Sequence, residues 1–245
     1  MIFFKRNSVL GDNMKKIGII GAMQEEIEAL LEIMSDKVKE KRGILDFYTG
    51  SYDYVKIVVV RAGIGKVNAA MCTQSLIDNF AVDAVVNIGV AGAIGDELDI
   101  GDIVLSTYLV EHDFDCTAFG YEKGVIPRLE TSRFLADERL ISLGYDMRDR
   151  FSDIKIYKGV IVSGDVFVSS KQLKEELSKN FSALCAEMEG ASIAHVCCLN
   201  KVPFLVIRSM SDKADGDSPE NFDEFVLDSA QNSLTLIKHI LKEIK

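Results

Sequence analysis

The chain has no CxxC pair and no histidines at zinc-ligand spacing. Five cysteines stand at 72, 116, 185, 197 and 198, and 245 residues carry only three histidines. An odd, unpatterned cysteine set excludes a disulfide framework and a zinc ribbon, and reads as reduced, buried thiols in a cytoplasmic protein. Long hydrophobic runs are also missing: apolar stretches are strand-sized or broken by charge, so nothing is expected to span a membrane. Excess positive charge is missing as well. With 38 acidic against 28 basic residues and a net charge of −10, neither a nucleic-acid footprint nor an anionic membrane surface is expected, and small neutral or cationic ligands remain. There are no internal repeats and no low-complexity linkers.

Two phosphate-binding signatures are absent where they might be sought. GIIGAM (18–23) follows a strand but lacks the GxGxxG spacing, and Glu25 and Glu26 beside it would repel a pyrophosphate. Gly63-Ile64-Gly65-Lys66 resembles a phosphate loop, yet Val60 stands where that motif needs glycine and Val67 where it needs Ser or Thr. No nucleotide cofactor and no metal is therefore expected. The opening MIFFKRNSVLGDN lacks the long apolar region of a signal peptide and reads as an alternative start or disordered leader; residues 14–245 then read as one domain.

What is present alternates strand with helix. KKIGIIGAM and QEEIEALLEIM form a strand, a tight turn and a helix, and 47–62 reads as a hairpin before the helix VNAAMCTQSLIDNF. AVDAVVNIGVAGAIG has the composition of a buried parallel strand, 103–110 is a further strand, and 111–130 is a long loop mixing aromatics with acids. A helix over 135–151, a strand over 154–168, a capped helix over SSKQLKEELSKNF and a long closing helix complete the pattern. Such alternation predicts an α/β fold, a three-layer α/β/α arrangement around a mixed, largely parallel sheet.

Carboxylates gather in one region. Glu187 and Glu189 stand at the mouth of an apolar helical run, where helix-dipole complementation alone would explain them. The strand PFLVIRSMS then delivers Asp212 at its end, and strand C-termini face the crevice in which α/β folds bind ligands. Glu26, Glu189 and Asp212, from separate elements and without metal-ligand histidines, point to acid/base chemistry on a neutral substrate that becomes cationic in the transition state. Cleavage of a glycosidic bond fits: one acid protonates the leaving group, another activates water, and the carboxylates stabilise an oxocarbenium-like sugar. On burial statistics Phe167, at a strand end, reads as core.

Seven stretches, IGIIGAMQEEIEAL, AGIGKVNAA, NIGVAGAIG, TAFGYEKGVIP, IVSGDVFV, AEMEGASIAHVC and IRSMSDKAD, together resemble the bacterial methylthioadenosine/S-adenosylhomocysteine nucleosidases from Met14 nearly to the C-terminus. The resemblance implies a homodimeric, metal-free enzyme of nucleoside phosphorylase-like fold that hydrolyses adenine from 5′-thio-substituted adenosines, with 5′-deoxyadenosine a further candidate. It implies that Glu26 activates water with support from Arg208. Asp212, supported by Ser211, would protonate the purine, and Glu189 would bind the ribose hydroxyls above Met188. Phe167 would stack on adenine while the Val168 backbone reads its edge. Met23, Ile64 and Phe222 would line the 5′-substituent pocket, completed by Cys116, Phe119, Tyr121 and Pro127 of a second copy.

Two departures stand out. Val90 replaces a serine found in many relatives at the water site, which leaves more of the positioning to Glu26 and Arg208, and Cys116 replaces a more common aliphatic residue. A phosphorylase of the same fold, a non-catalytic nucleoside sensor and an oxidoreductase are the rival readings; the acids at the first turn favour water over phosphate.

Overall fold

The computed structural model describes residues 14–214 and 222–244, with side chains in the last helix from 228 onward. The expected leader lies outside the described residues. The chain runs β1 (Lys16–Gly21), α1 (Gln24–Ile33), β2 (Ser35–Arg42), β3 (Leu45–Tyr52), β4 (Val55–Arg61), α2 (Lys66–Phe80) and β5 (Ala84–Ala93). It continues through β6 (Ile103–Glu111), β7 (Phe134–Leu135), α3 (Glu138–Tyr145), β8 (Ile156–Ser163) and α4 (Lys171–Phe181). The last elements are β9 (Ala183–Glu187), α5 (Gly190–Asn200), β10 (Phe204–Asp212) and α6 (Phe222–Glu243).

All ten strands form one mixed sheet in the order β10-β6-β8-β9-β5-β1-β4-β3-β2, with β7 on β6 and an additional β10–β5 pairing. That extra pairing closes β5, β10, β6, β8 and β9 into a ring, so the carboxyl ends of β5 and β10 meet. Strands β4, β1, β5 and β10 are parallel neighbours. They read VKIVVVR, KIGIIG, AVVNIGVAGA and FLVIRSMSD, the near-continuous apolar runs of strands covered on both faces. One helix group, α1, α3 and α6, and a second, α2 and α5, provide that cover. Among the described residues no helix is long and apolar enough to cross a membrane.

Four elements depart from the sequence expectation. Strand β2, SDKVKEKR, is almost wholly exposed; its single apolar residue carries no alternating signal, and its charges mark an unprotected sheet edge. The helix expected over 135–151 is shorter: Phe134 and Leu135 pair with β6 instead, and the Asp137 carboxylate accepts from the Arg139 and Leu140 amides at 3.0 Å, starting α3 there. The strand expected to run to Val168 ends at Ser163: Gly164 N–H still donates to the Glu187 carbonyl of β9 at 3.1 Å, but Asp165 N–H donates instead to Asp113 Oδ2 at 3.0 Å. Strand β9 falls between the two expected helices, where the sequence reading placed no element.

Candidate active site

Glu26 lies in the first turn of α1, whose start is fixed by its own carboxylate: Oε2 accepts from the Ala22 and Met23 amides at 2.6 and 3.0 Å. The capping interaction turns the carboxyl inward, where it is only 6% exposed. Burial raises its pKa; Arg208 and the amides of Met23, Ala22 and Val90 oppose that shift without cancelling it. Glu25, the next residue back, is exposed.

Arg208 is the largest fully buried side chain, on a strand otherwise built of apolar and small residues. Its Nε donates to Glu187 Oε2 at 3.1 Å, and Nη2 donates to the same oxygen and to Asn87 Oδ1 at 2.7 Å. Glu189 Oε2 lies 3.7 Å from Nη2. Nη1 alone has no hydrogen-bond partner among the described residues. A Cβ at Gly89 would stand 2.6 Å from both that Nη1 and Glu26 Oε1. The guanidinium and the Glu26 carboxyl therefore converge over a backbone position that only glycine leaves open.

Glu187 and Glu189 have different fates although two residues apart. Glu187 ends β9, accepts from Ser163 Oγ, from the Glu189 amide at 3.1 Å and from the Gly190 amide at 2.7 Å, and is the buried counter-ion of Arg208. Burial alone would raise its pKa, but Arg208 and these donors hold the carboxyl below its ordinary value. The dipole reading of Glu187 is thus right about the helix terminus and incomplete about its partner. Glu189 accepts from Gly65 N–H at 2.8 Å, across the crevice from the GIGK turn. Burial first, and the neighbouring Glu187 charge second, push its pKa up to about 7.

Asp212 ends β10 opposite Gly92 of β5, where a Cβ would come within 2.8 Å of its Oδ1. Ser211 Oγ donates to Oδ2 at 2.9 Å and Ala214 N–H to Oδ1 at 2.8 Å, so the carboxyl is held while 5% exposed. A recess beside it is lined by Gly92, Phe167, Val168, Glu187, Met188 and Asp212. Phe167 is 56% exposed, against the core expectation, because β8 has already ended and the loop turns the ring outward; Val168 is buried.

Of the remaining predicted residues, Val90 lines a small recess with Glu26 and Gly89, and Met23 and Ile64 line one larger cavity. Cys116 and Pro127 are half-buried, Phe119 is 81% exposed and Tyr121 is exposed; all four belong to the segment after β6. Phe222 opens α6, and its side chain lies outside the described residues. Sequence reasoning missed Asn87 and Ser163 and undervalued Glu187. A polar residue inside an apolar strand run, as Asn87 is, was the available signal.

A family model described as the phosphorylase superfamily matches residues 16–244, which sets the class. A 5′-methylthioadenosine/S-adenosylhomocysteine nucleosidase of Bacillus velezensis is 40% identical over 230 residues, 94% of this chain and 99% of that one. The crystal structure of the Neisseria meningitidis enzyme of the same name, in complex with methylthio-immucillin-A, is 40% identical with a TM-score of 0.89, covering 93% of this chain and 99% of that one. A futalosine hydrolase of Helicobacter pylori is also similar, at 40% identity and a TM-score of 0.88, over 94% of this chain and 98% of that one. The chain belongs to the methylthioadenosine/S-adenosylhomocysteine nucleosidase family.

Proposed function

We propose that the protein hydrolyses the N-glycosidic bond of 5′-methylthioadenosine and S-adenosylhomocysteine, yielding adenine and the 5-thioribose product. One observation carries this reading. Three buried carboxyls, Glu26, Glu187 and Glu189, surround the single guanidinium of Arg208, and a fourth, Asp212, is held beside a recess lined by an exposed aromatic ring. The cluster carries more acid than base, which suits a sugar that becomes cationic and opposes a phosphate nucleophile.

Each group then has a task. Asp212, oriented by Ser211 and the Ala214 amide, gives its proton to the imidazole-ring nitrogen of the departing purine, so that adenine leaves neutral. Phe167 stacks on the base, and the Val168 backbone contacts its edge. Water lies between Glu26 and Arg208 Nη1, and Glu26, whose raised pKa makes it a stronger base than an ordinary carboxylate, takes a proton from it as oxygen bonds to the anomeric carbon. Glu189 holds the ribose hydroxyls, and Met188 lies beneath the ring. Atoms balance as nucleoside plus water giving adenine plus sugar, with Asp212 left to regain the proton that Glu26 gained.

The 5′ substituent lies against Met23 and Ile64. Completion of this pocket by Cys116, Phe119, Tyr121 and Pro127 of a second copy makes the working form a homodimer, and the exposed Phe119 and the exposed Val67 of α2 are the surface such a partner would cover. A cytoplasmic location follows the same reading. The test is a panel of methylthioadenosine, S-adenosylhomocysteine and futalosine, read by release of free nucleobase with and without phosphate. Release of adenine at a rate indifferent to phosphate is expected; a rate that rises with phosphate and yields a sugar phosphate would overturn hydrolysis.

A further inference from the structure

A cavity of about 650 Å³ is lined by two of the residues assigned to the 5′ substituent, Met23 and Ile64, but extends well past them to Glu25, Asp46 and Arg61. Its walls are tied together by the backbone: Ala62 N–H donates to the Gly21 carbonyl at 2.9 Å and Gly63 N–H to the Ala22 carbonyl at 3.1 Å. The end of β4 and the turn into α1 are thereby clamped side by side, which brings Arg61 and Glu25 to one opening as exposed side chains. The third charge, Asp46, is occupied by Lys39 at 2.8 Å. What remains available is one guanidinium and one carboxylate, of opposite sign, at the rim of a space of ligand size. A methyl group would reach neither charge. A thioether carrying an amino acid would use both charges.

We propose that this cavity is a specificity site for the zwitterionic amino-acid end of S-adenosylhomocysteine, with Arg61 binding the carboxylate and Glu25 the ammonium group. The proposal rests on the nucleosidase reading above and adds to it residues that methylthioadenosine does not reach. A guanidinium meets a carboxylate through two parallel N–H donors, which fixes the tail's direction, and the acid placed in the first turn of α1 offers the ammonium an acceptor. Both contacts face solvent, so each is worth only the few-fold factor of an exposed ion pair.

The experiment measures kcat/KM of the full chain and of Arg61→Ala, Arg61→Lys and Glu25→Gln on three substrates: methylthioadenosine, S-adenosylhomocysteine and an analogue of the latter lacking the carboxylate. Arg61→Ala and Glu25→Gln should each lower S-adenosylhomocysteine cleavage by about three- to fivefold, with methylthioadenosine changed by less than about twofold and Arg61→Lys recovering part of the loss. The carboxylate-free analogue should respond to Glu25→Gln and ignore Arg61→Ala. Equal losses on both natural substrates would show that the two side chains support the fold or a second copy's docking, and would overturn the proposal. So would unchanged S-adenosylhomocysteine cleavage in both variants. A wild-type chain that cleaves neither nucleoside would instead bring down the nucleosidase reading itself.

Discussion

Replacing Glu187 by Gln removes one charge from the centre of the cluster while keeping shape and most hydrogen bonding. The carboxylate is the principal counter-ion of a guanidinium that is 1% exposed, and breaking a buried pair by removing one partner costs about 3–5 kcal/mol. Arg208 keeps Asn87 and the more distant Glu189, and the amide still accepts from Gly190, so the lower end, about 3 kcal/mol, is expected. For a chain of this length that is a fall in melting temperature of about 6–12 °C. A second readout reports on mechanism. The Glu189 carboxyl titrates at about 7 through burial and then through the Glu187 charge. With that charge gone, and Arg208 freed to attract Glu189, its pKa must fall. If Glu189 binds ribose as a carboxylate, affinity for a non-hydrolysable adenosine analogue weakens below pH about 7 in the wild type, and that limb should move down by about one unit in Glu187→Gln. Calorimetry and titrations of the analogue between about pH 5 and 9 measure both. A melting temperature within about 2 °C of wild type, or a limb that stays or moves up, would refute this account of the cluster.

Asp212→Asn should keep the Ser211 and Ala214 contacts, melt near the wild-type temperature and still bind nucleoside, yet lose roughly 100- to 10,000-fold in turnover; activity lost only in step with stability would make Asp212 a structural cap. Gly89→Ala places a methyl 2.6 Å from Arg208 Nη1 and Glu26 Oε1, so turnover should collapse even where far-ultraviolet circular dichroism is unchanged, and near-normal kcat would remove the proposed water site. Between the ordinary carboxylate value of 4.5 and about 7, folded Glu189 keeps a proton that the unfolded chain has released, so its contribution to stability falls as pH rises through that window. Glu189→Gln should flatten this slope in denaturant titrations across the window, and an identical slope would count against the raised pKa. Sedimentation should find a dimer at assay concentration that Phe119→Asp weakens, with loss of activity on dilution; a fully active monomer would contradict the proposed sharing of the 5′ pocket between two copies.

The sequence by itself determined the alternation of elements, β5 as a buried parallel strand within a largely parallel sheet, and the candidates Glu26, Glu189 and Asp212. All of these are written in local pattern: apolar runs, a two- or four-residue period, an acid where a strand ends. Where no local pattern existed, as in the charged edge strand β2 or in β9 embedded before an apolar helix, the elements were not legible, because pairing with a neighbour and not propensity makes them strands. Only the tertiary structure decided which acid meets which partner. Glu187 and Glu189 look alike in the sequence, but the partners that separate them, Arg208 and Asn87 for one side of the cluster and Gly65 for the other, come from strands and turns up to 124 residues away. A carboxyl's pKa is set by the charges, donors and burial around it in space, and those are fixed only when the β5–β10 pairing closes the ring and brings Gly89 under Arg208 and Gly92 beside Asp212.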